Sequence, residues 1–585
     1  MAKRPVERRS QRKSRPTRLT APRIANPARA TAQRKSGPTR ATAQRKSGPT
    51  RATAQRKSGP TREGAFRLTY ATMFDPPALM HDNFEKALAI VKAGLGREHS
   101  MWIGGKERRT AERFEDRSPI NTTWLLGTFP KGTAADVAVA LDAARAAFPA
   151  WSRLRWQERV RLLRKVVALL EKRVYEIAAA VALEVGKNRM EALGDVQETA
   201  DLIAYYCDAM ERNQGFIRPQ GRDPLKGYTA ANVSVLRPYG VWAVISPFNF
   251  PVALSGGPTG AALVAGNTVV FKPATDTPWA GALLAQCFRD AGLPEGVFNY
   301  VTGSGATVGE ALIRNPGVDG ITFTGSFEVG MHIYRTFAGG RHPRPCVAEM
   351  GGKNPAIVSR GADLDRAAIG IVRSAFGLQG QKCSACSRIF VEKPVQEALV
   401  QKLVDLTSTI TVGDPTHREN TMGPVINRKA FDDYRGYVEE LGRVGVILTG
   451  GKQLTEGNLA QGYFCAPTLV DGVPPDHRLW KQEMFLPIAT IAAVESLDEA
   501  MQRANGVDYG LTAGFYGSKK EAAWFFDRIQ VGVAYANRPQ GATTGAWPGY
   551  QPFGGWKGSG STGKSGGGSY YLQQYMHEQS QTLIE

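Results

Sequence analysis

The segment around Cys383 combines a thiol with cationic and polar neighbours. It reads Gly380-Gln381-Lys382-Cys383-Ser384-Ala385-Cys386-Ser387-Arg388. A nearby cation lowers the pKa of a thiol and favours the nucleophilic thiolate, so we expect Cys383 to be a reactive nucleophile. Cys383 and Cys386 also form a Cys-x-x-Cys pair, which by itself is compatible with redox or zinc chemistry. The chain has neither a second such pair nor a His pair at ligand spacing, so we predict no metal site.

Three further segments could bind an anion or orient a reacting group. They are Ser246-Pro247-Phe248-Asn249, Lys272-Pro273 and Phe323-Thr324-Gly325-Ser326. A helix that begins after Gly-Ser presents backbone N–H groups and a hydroxyl, which suits a phosphate. Each signal is weak alone, and only the order and spacing of the segments together carry weight.

Short apolar runs precede these polar segments, and we predict them to be strands. The runs cover residues 241–245, 267–271, 320–323 and 355–358. Apolar residues at helical spacing predict helices over residues 134–147, 158–185, 279–291 and 306–314. Alternating strands and helices predict a parallel sheet that binds ligands at the carboxyl ends of its strands.

From about residue 84 to its C-terminus, the chain resembles the aldehyde dehydrogenase superfamily. The matching segments are Pro-x-Asn-Phe-Pro at 247–251, Lys-Pro at 272–273, Phe-Thr-Gly-Ser-x-x-x-Gly at 323–330, Glu-Met-Gly-Gly-Lys at 349–353, Gly-Gln-x-Cys at 380–383, Gln-Glu-Met-Phe at 482–485 and Pro-Phe-Gly-Gly at 552–555. Glu349 precedes Cys383 by 34 residues, the interval expected for the family's base and nucleophile. The resemblance implies an α/β fold with a Rossmann-type cofactor domain, an α/β catalytic domain and a β oligomerisation arm.

The resemblance also implies roles for individual residues. Cys383 would attack the aldehyde carbon, and the Asn249 amide with the Cys383 N–H would stabilise the oxyanion. Glu349 would activate the water that hydrolyses the thioester, a role that an acylating, coenzyme-A-dependent enzyme would not need. Residues assigned to the cofactor are Lys272 for the adenosine ribose, Ser326 for the pyrophosphate, Glu483 for the nicotinamide ribose, and Ser246, Pro247, Phe248, Gly325 and Phe485 around them.

Within the superfamily, the chain most resembles the 1-pyrroline-5-carboxylate dehydrogenases, which oxidise L-glutamate γ-semialdehyde in proline catabolism. The resemblance rests on the segment around Cys383, on Thr544-Gly545-Ala546, and on Lys564-Ser565-Gly566-Gly567. It implies that Ser384 and the N–H groups of Gly545 and Ala546 bind the polar end of the substrate, with Phe553 against its aliphatic part. A dehydrogenase for another semialdehyde, such as succinate semialdehyde, is the rival interpretation.

NAD is the cofactor that the resemblance favours, and NADP is the alternative. Thr275 stands where NAD-preferring members often carry an acid, and the loss of that acid removes a repulsion against a 2′-phosphate. Expected domains are a tail at 1–62, a cofactor domain at 63–350 with an oligomerisation hairpin near 227–241, a catalytic domain at 351–540, and an anchor loop and C-terminal arm at 541–585. We expect a homodimer or a higher homo-oligomer, since an exposed β-arm is a pairing edge.

The net charge of +21 belongs almost entirely to the first 62 residues. They hold 19 Lys and Arg residues and one acid, Glu7, and three identical eleven-residue repeats begin at Arg29, Arg40 and Arg51. Such a composition cannot bury a core, so we predict disorder. Attachment to nucleic acid or anionic lipid, a transit peptide and a functionless tandem duplication are the interpretations left open.

The rest of the chain has the composition of an ordinary globular protein. It contains no apolar run of membrane-spanning length and no secretory signal. Six cysteines in 585 residues do not form a disulfide framework. These features predict a cytoplasmic enzyme that acts on a small molecule.

Overall fold

The computed structural model describes residues 76–222 and 227–584. The predicted tail at 1–62, its predicted disorder and the first residues of the predicted cofactor domain lie outside the described residues. The α-helices of the described part are α1 Ala78–Ala93, α2 Ala134–Arg153, α3 Trp156–Lys172, α4 Val174–Val185, α5 Arg189–Arg212, α6 Ala253–Ala265, α7 Pro278–Asp290, α8 Glu310–Arg314, α9 Phe327–Ala338, α10 Leu364–Phe376, α11 Gln396–Ser408, α12 Arg428–Val444, α13 Leu497–Asn505 and α14 Lys519–Arg528.

The strands follow the same chain order. They are β1 Arg97–Glu98, β2 Met101–Ile103, β3 Lys106–Arg108, β4 Arg113–Arg117, β5 Leu125–Pro130, β6 Ile217–Pro219, β7 Ala230–Pro238, β8 Val241–Ile245, β9 Thr268–Lys272, β10 Phe298–Tyr300, β11 Gly320–Thr324, β12 Cys346–Glu349, β13 Asn354–Val358, β14 Cys386–Glu392, β15 Val446–Thr449, β16 Thr468–Asp471, β17 Ile488–Val494, β18 Tyr509–Gly510, β19 Thr512–Tyr516, β20 Val533–Ala536, β21 Trp556–Lys557 and β22 Met576–Ile584.

The first large sheet has the strand order β12-β11-β8-β9-β10-β2-β3. The five strands from β12 to β10 run parallel, and β2 and β3 extend the sheet in antiparallel pairing. The three predicted strands at 241–245, 267–271 and 320–323 are all present here, displaced by at most one residue. Parallel strands of this kind are buried on both faces, which explains why β8 and β9 are almost continuously apolar.

The second large sheet has the strand order β15-β16-β17-β14-β13-β19-β20. The predicted strand at 355–358 is β13 in this sheet, so the four predicted strands belong to two sheets. The chain leaves the first sheet after Glu349 and crosses Gly351 and Gly352 before β13 begins. Asn354 in β13 pairs in register with Cys386 in β14, so the nucleophile segment lies just before the start of β14.

A three-stranded antiparallel sheet joins the C-terminal end of the chain to the middle of the sequence. Its order is β22-β7-β6, and β22 pairs with β7 along its whole length, from Met576 opposite Pro238 to Ile584 opposite Ala230. These strands occupy the region predicted to form the arm. All residues of β22 except Met576 are exposed.

The helices differ from the predicted ranges where the backbone is irregular. The predicted helix at 158–185 is two helices, because Arg173 between α3 and α4 has φ −101° and ψ 15°. The predicted helix at 306–314 begins with a π-helical turn, Gly305–Gly309, before α8. In the described ranges, no helix is long and apolar enough to cross a membrane.

Candidate active site

The carboxyl ends of four neighbouring strands bring the polar segments of the first sheet together. Lys272 at the end of β9 pairs with Ile245 at the end of β8, which in turn lies opposite Phe323 in β11. Thr324 at the end of β11 pairs with Glu349 at the end of β12. The residues that follow these strands therefore form one continuous edge, the position at which an open parallel sheet binds ligands.

A tight loop presents Cys383 opposite this edge. Leu378 and Gln379 adopt left-handed backbone conformations, with φ 51° and 56°, and Gly380 follows with φ 67°. Non-glycine residues rarely adopt positive φ, and such strain persists only when the surroundings fix it. The Gln379 side chain donates to the carbonyl of Gly186 at 2.9 Å, which fixes this loop to the end of α4.

Two asparagine side chains hold the loop from either side. Asn249 donates from Nδ2 to the carbonyl of Gln381 at 2.9 Å. Asn354 donates from Nδ2 to the carbonyls of Cys383 and Ala385, at 2.7 and 2.9 Å, and its Oδ1 accepts from the N–H of Thr512 at 3.0 Å. The carbonyls on either side of the Lys382–Cys383 peptide, whose N–H is a candidate oxyanion donor, are thereby held in place.

The expected activation of Cys383 by a neighbouring cation is wrong for this structure. Lys382 directs its Nζ to Glu191, at 2.9 Å, and forms an ion pair there. Burial raises the pKa of the Cys383 thiol, and the carboxylates of Glu483 and Glu349 raise it further. Sequence proximity misled the prediction, because adjacent side chains on an irregular loop point in different directions.

Glu349 is the acid at the end of β12, and its main chain is held in place on both sides. Its carbonyl accepts from the N–H of Gly325 at 3.1 Å, and the next residue, Met350, donates to the carbonyl of Ser559 at 2.9 Å. Burial raises the pKa of Glu349 to about 7. A carboxyl group with such a pKa is suited to accept a proton from water near neutral pH.

A cleft opens next to Glu349. Its walls are mostly apolar and contain Ala546 and Phe553 from the predicted substrate set. The full lining is Glu198, Leu202, Tyr206, Ala253, Leu254, Pro258, Thr324, Glu349, Ala546, Trp547, Pro548, Gln551, Phe553, Gly566 and Tyr571.

The predicted anchor loop lies beside the nucleophile loop. Thr543 donates from Oγ1 to the carbonyl of Ser384 at 2.6 Å, which ties the two segments together. Gly545 has φ +151°, and a Cβ there would lie 2.1 Å from the Arg538 guanidinium, so only glycine fits. Ser384 and Gly545 do not line the cleft itself. Of the four predicted substrate residues, Ala546 and Phe553 therefore line the cleft, and Ser384 and Gly545 are not among its lining residues.

The predicted cofactor residues form a second group along the edge of the first sheet. Ser326 caps α9, with its Oγ accepting from the N–H of Val329 at 3.4 Å. Ser246 is buried and its Oγ has no hydrogen-bond partner in the described structure. Lys272 is buried and donates to the carbonyl of Pro273 at 2.9 Å, and burial lowers its pKa to about 8. An unsatisfied hydroxyl and a buried cation beside a helix N-terminus are groups that a dinucleotide would satisfy.

Glu483 and Phe485 complete this group from the catalytic side. Glu483 accepts from the N–H of Gly352 at 2.8 Å, and burial raises its pKa to about 7. Phe485 has φ 58° and packs edge-on against Phe248, with ring centroids 5.8 Å apart. Pro247 lies in the same turn after β8. Within the described ranges, no group of three or more His, Cys, Asp or Glu side chains could hold a metal ion, and the expected absence of a metal stays a prediction.

Comparisons with known proteins match this arrangement over most of the chain. A model of the aldehyde dehydrogenase family matches residues 106–581. The chain belongs to the aldehyde dehydrogenase family. The matched range includes every residue assigned above to catalysis, cofactor or substrate.

Individual relatives carry one recurring name. The chain is 38% identical over 508 residues to 1-pyrroline-5-carboxylate dehydrogenase 1 of Halalkalibacterium halodurans, covering 86% of this chain and 96% of that protein. It is 39% identical over 508 residues to the 1-pyrroline-5-carboxylate dehydrogenase of Geobacillus thermodenitrificans, with the same coverage. A solved structure of 1-pyrroline-5-carboxylate dehydrogenase from Thermus with bound NAD matches with a TM-score of 0.82 at 36% identity, covering 87% of this chain and 97% of that chain.

The predicted site residues do not include Glu198, which lies in the wall of the cleft. Glu191, Asp195 and Glu198 recur at helical spacing on one face of α5, an unusual pattern for a helix with so many buried residues. Asp195 is structural, because it accepts from Lys187 Nζ at 3.0 Å and from the N–H of Ala253 at 2.8 Å. Glu198 makes no such bond in the described structure, and burial raises its pKa to about 8. The i, i+4, i+7 acid pattern is the signal that could have identified it.

Proposed function

We propose that this chain oxidises L-glutamate γ-semialdehyde, the open form of 1-pyrroline-5-carboxylate, to L-glutamate with NAD. This is the second step of proline catabolism. The names of the relatives support the assignment. The observation that carries it is the cleft in which Glu349, Ala546 and Phe553 face Glu198.

The cleft suits a substrate with one aliphatic stretch and one charged end. Leu202, Pro258 and Phe553 supply apolar walls. Glu198 is an acid in this low-dielectric wall, and a cation placed beside it would recover the free energy lost by its burial. The α-ammonium group of the substrate has the required charge. Succinate semialdehyde has no ammonium group and would leave Glu198 without a counter-ion.

The α-carboxylate of the substrate needs hydrogen-bond donors at the same end. The N–H groups of Gly545 and Ala546 and the hydroxyl of Ser384 are the candidates. Backbone N–H groups around a glycine can form a concave anion site. The bond between Thr543 and the Ser384 carbonyl couples this end of the substrate to the nucleophile loop.

The reaction uses the residues in sequence. Cys383 releases its thiol proton to water, its Sγ forms a bond to the aldehyde carbon as the C=O π bond opens, and the Asn249 amide with the Cys383 N–H stabilises the negative charge on the aldehyde oxygen. NAD, when bound, accepts the hydride that leaves this carbon. Glu349 then takes a proton from the water that attacks the resulting thioester, which releases glutamate and restores the thiol.

NAD would be held along the edge of the first sheet by the cofactor group described above. Lys272 and Ser326 would bind the adenosine ribose and the pyrophosphate, and Glu483 would bind the nicotinamide ribose. NADP is the alternative. Thr275 has no carboxylate, so position 275 would not repel the 2′-phosphate of NADP. Parallel assays with the two cofactors distinguish them.

The arm sheet and the free thiols support two further statements. We infer a homodimer or higher homo-oligomer, since β22 is an edge strand with nine residues and no partner on its outer side within the described residues. We place the enzyme in the cytoplasm, where its six unpaired cysteines would remain reduced. The domain limits at 350 and 540 are likewise proposals: the first falls where the chain passes from the first large sheet to the second, and the other follows β20, the last strand of the second sheet.

The substrate is tested by comparing two aldehydes on wild type and on Glu198→Gln. We expect glutamate γ-semialdehyde to be oxidised with a kcat/KM about tenfold or more above that of succinate semialdehyde. Glu198→Gln should raise KM for glutamate γ-semialdehyde and leave the rate with succinate semialdehyde unchanged or improved. Equal use of both aldehydes by wild type would overturn the assigned substrate.

A further inference from the structure

Two fully buried charges lie behind the turn that carries Asn249. Lys187 Nζ forms an ion pair with Asp195 Oδ2 at 3.0 Å, and both side chains are 0% exposed. Neither residue lines the cleft, and the catalytic steps described above use neither. The desolvation of two buried charges offsets most of the attraction between them, so stability alone does not account for this pair.

Asp195 caps a helix other than its own. The first residues of an α-helix have N–H groups without a helical acceptor. Val252 is the N-cap of α6, and its side chain makes no capping bond. The Asp195 carboxylate on α5 instead accepts from the N–H of Ala253, the first residue of α6, at 2.8 Å. The helix dipole also favours a negative charge at this position.

Lys187 contacts the same turn from its other side. Its Nζ lies 3.9 Å from the centroid of the Phe250 ring, which is within the range of a cation–π interaction. Phe250 directly follows Asn249 in the chain. The ion pair therefore holds the turn at Phe250 and at Ala253, just after the residue that carries the oxyanion amide.

The ion pair is also linked to the nucleophile loop. The carbonyl of Gly186, the residue before Lys187, accepts from the Gln379 side chain at 2.9 Å. Gln379 belongs to the loop that presents Cys383. Residues 186–187 thus contact both segments that supply the candidate oxyanion donors.

Close packing fixes α6 against α5, which carries Asp195. A Cβ at Gly256, Gly257 or Gly260 of α6 would lie 2.3, 2.8 or 2.7 Å from side-chain atoms of α5. The two helix backbones therefore approach each other as closely as glycine allows. The bond from Asp195 to the start of α6 is thus part of a rigid contact between two helices.

The Asn249 amide is held at only one of its two donors. Asn249 is 3% exposed, and its amide nitrogen carries two N–H donors. One of them bonds the Gln381 carbonyl at 2.9 Å. The second has no acceptor among the described residues and is the one available to an oxyanion. Its direction depends on the backbone of the turn, because the bond to Gln381 fixes only the end of the side chain.

We propose that Lys187 and Asp195 are positioning residues that hold the turn after β8, so that the second Asn249 N–H and the Cys383 N–H converge on the aldehyde oxygen. This inference rests on the proposed role of Asn249 as an oxyanion donor. Donors that are already in place stabilise developing charge without reorganisation during the reaction. A loosened turn should therefore slow the chemical steps and leave substrate binding unchanged.

Two double variants test the pair without leaving a single buried charge. The apolar variant combines Lys187→Met with Asp195→Leu, which removes the cation from Phe250 and the acceptor from Ala253. The amide variant combines Lys187→Met with Asp195→Asn, which keeps an acceptor for Ala253. Replacing both partners avoids the destabilisation caused by one unpaired buried charge, and urea unfolding reports the folding of each variant.

Glu392→Gln is the matched control. Glu392 is buried and accepts from Arg360 Nε at 2.9 Å, so this variant also removes the charge of a buried acid from an ion pair. Glu392 lies at the end of β14, whereas the nucleophile loop lies before its start. The control variant should keep the wild-type rate.

The rate of NADH release in the first turnover is measured by stopped flow, at saturating NAD and with the aldehyde that the wild type oxidises. We expect this rate to fall about tenfold in the apolar variant and about threefold in the amide variant, which retains one of the two contacts with the turn. The KM for the aldehyde should stay within about twofold of wild type in both, because the donors act on charge that develops only during the reaction.

Asn249→Ala separates positioning from a general structural role. This variant removes the donor itself and should lower the rate about 100-fold. If the pair acts through Asn249, the apolar substitutions should slow Asn249→Ala by less than about twofold more, because residues that act as a unit are not additive. Independent effects would multiply to a loss of about 1000-fold. If the apolar variant does not fold, the amide variant takes its place, and its threefold loss should likewise disappear.

Three outcomes would overturn the inference. The first is a wild-type rate in the folded variant, and the second is a loss that multiplies with that of Asn249→Ala. The third is a change confined to KM, which would place the effect of the pair on Glu198, since Asp195 raises the pKa of Glu198 and Lys187 lowers it. A wild-type rate in Asn249→Ala alone would show that the proposed mechanism lacks this donor, and the positioning role would fail with it. No NADH from any aldehyde with wild type would be a failure of the proposed function.

Discussion

Single residues determine the pH dependence of the hydrolytic step. The pKa of Glu349 is raised to about 7 by burial, and only the carboxylate form can accept a proton from water. The steady rate at saturating aldehyde and NAD should therefore rise with pH through about 7 and level off above it. A steady rate that is constant from pH 5 to 8 would contradict this assignment.

Asn354 is a second residue whose role can be measured. Its amide holds the carbonyls of Cys383 and Ala385, so Asn354→Ala should loosen the loop that carries the Cys383 N–H. We expect kcat to fall by about 10- to 100-fold with little change in KM for NAD. Gln396→Ala removes an amide bonded to Asp471 at 3.0 Å and should leave kcat unchanged. Similar kinetics of the two variants would contradict the role of Asn354 in holding the loop around Cys383.

The sequence identifies the residues of the site whose neighbours are close along the chain. Lys272 and Ser326 follow predicted strands, and Cys383 belongs to a recognisable segment. Asp195 bonds Ala253 across 58 positions, and Asn354 bonds a loop 29 residues away, so neither role has a local signature. The direction of the Lys382 side chain could not be predicted from the sequence either, because its ion-pair partner is Glu191 on α5.

At the scale of elements, two buried acids connect β4 with the start of α7. Glu184 accepts from the N–H groups of Trp279 and Ala280 at 2.6 and 2.9 Å, and it shares a hydrogen bond with Asp116. Burial and the neighbouring carboxylate raise the pKa of Asp116, and burial raises that of Glu184 to about 7. The folded protein therefore holds a proton that the unfolded chain releases near pH 4.

The sign of the resulting pH dependence follows from these raised pKa values. Stability from the pair is complete below about pH 4 and is lost as pH rises through 7 and above. Asp116→Asn keeps a hydrogen-bond donor for Glu184 but carries no second charge. As pH rises from 5.5 to 8.5, the free energy of unfolding of this variant should therefore gain about 1 kcal/mol relative to that of wild type. Urea unfolding at both pH values measures this, with Asp432→Asn, which removes a partly buried carboxylate of α12, as control. An equal pH dependence of wild type and Asp116→Asn would refute the shared proton.

Regular elements were easier to predict than their interruptions. Strands β8, β9 and β11 lie within one residue of their predicted limits, because buried apolar runs end at Gly, Pro or polar residues. The break at Arg173 between α3 and α4 has no Gly or Pro to mark it in the sequence, although α3 buries one face and α4 is buried continuously from Ile177 to Val185.

At the scale of the whole molecule, β22 connects the arm to the active site. Tyr575 immediately precedes this strand, and its hydroxyl bonds Tyr571 in the cleft wall. Removal of residues 577–585 should dissociate the proposed oligomer in sedimentation experiments, because β7 loses eight of its nine residue pairs with β22. Unchanged sedimentation after this truncation would show that the arm does not hold the assembly together.

The basic repeats are expected to be separate from the enzyme. The family match begins at residue 106, and all candidate site residues lie beyond it. Deletion of residues 1–62 should leave kcat and KM unchanged within about twofold, which a standard NADH assay would show. A loss of turnover would show that the enzyme needs the tail. Retained turnover with a loss of nucleic-acid binding would support attachment to nucleic acid as the role of the tail.

The most direct test of the central claim is NADH formation from glutamate γ-semialdehyde by wild type, Cys383→Ala and Cys386→Ala. Cys386 is the matched control, because it lies three residues away and is buried in the second sheet. We predict NADH formation by wild type and Cys386→Ala and none by Cys383→Ala. NADH formation by Cys383→Ala at the wild-type rate, or none by wild type with either NAD or NADP, would contradict the account.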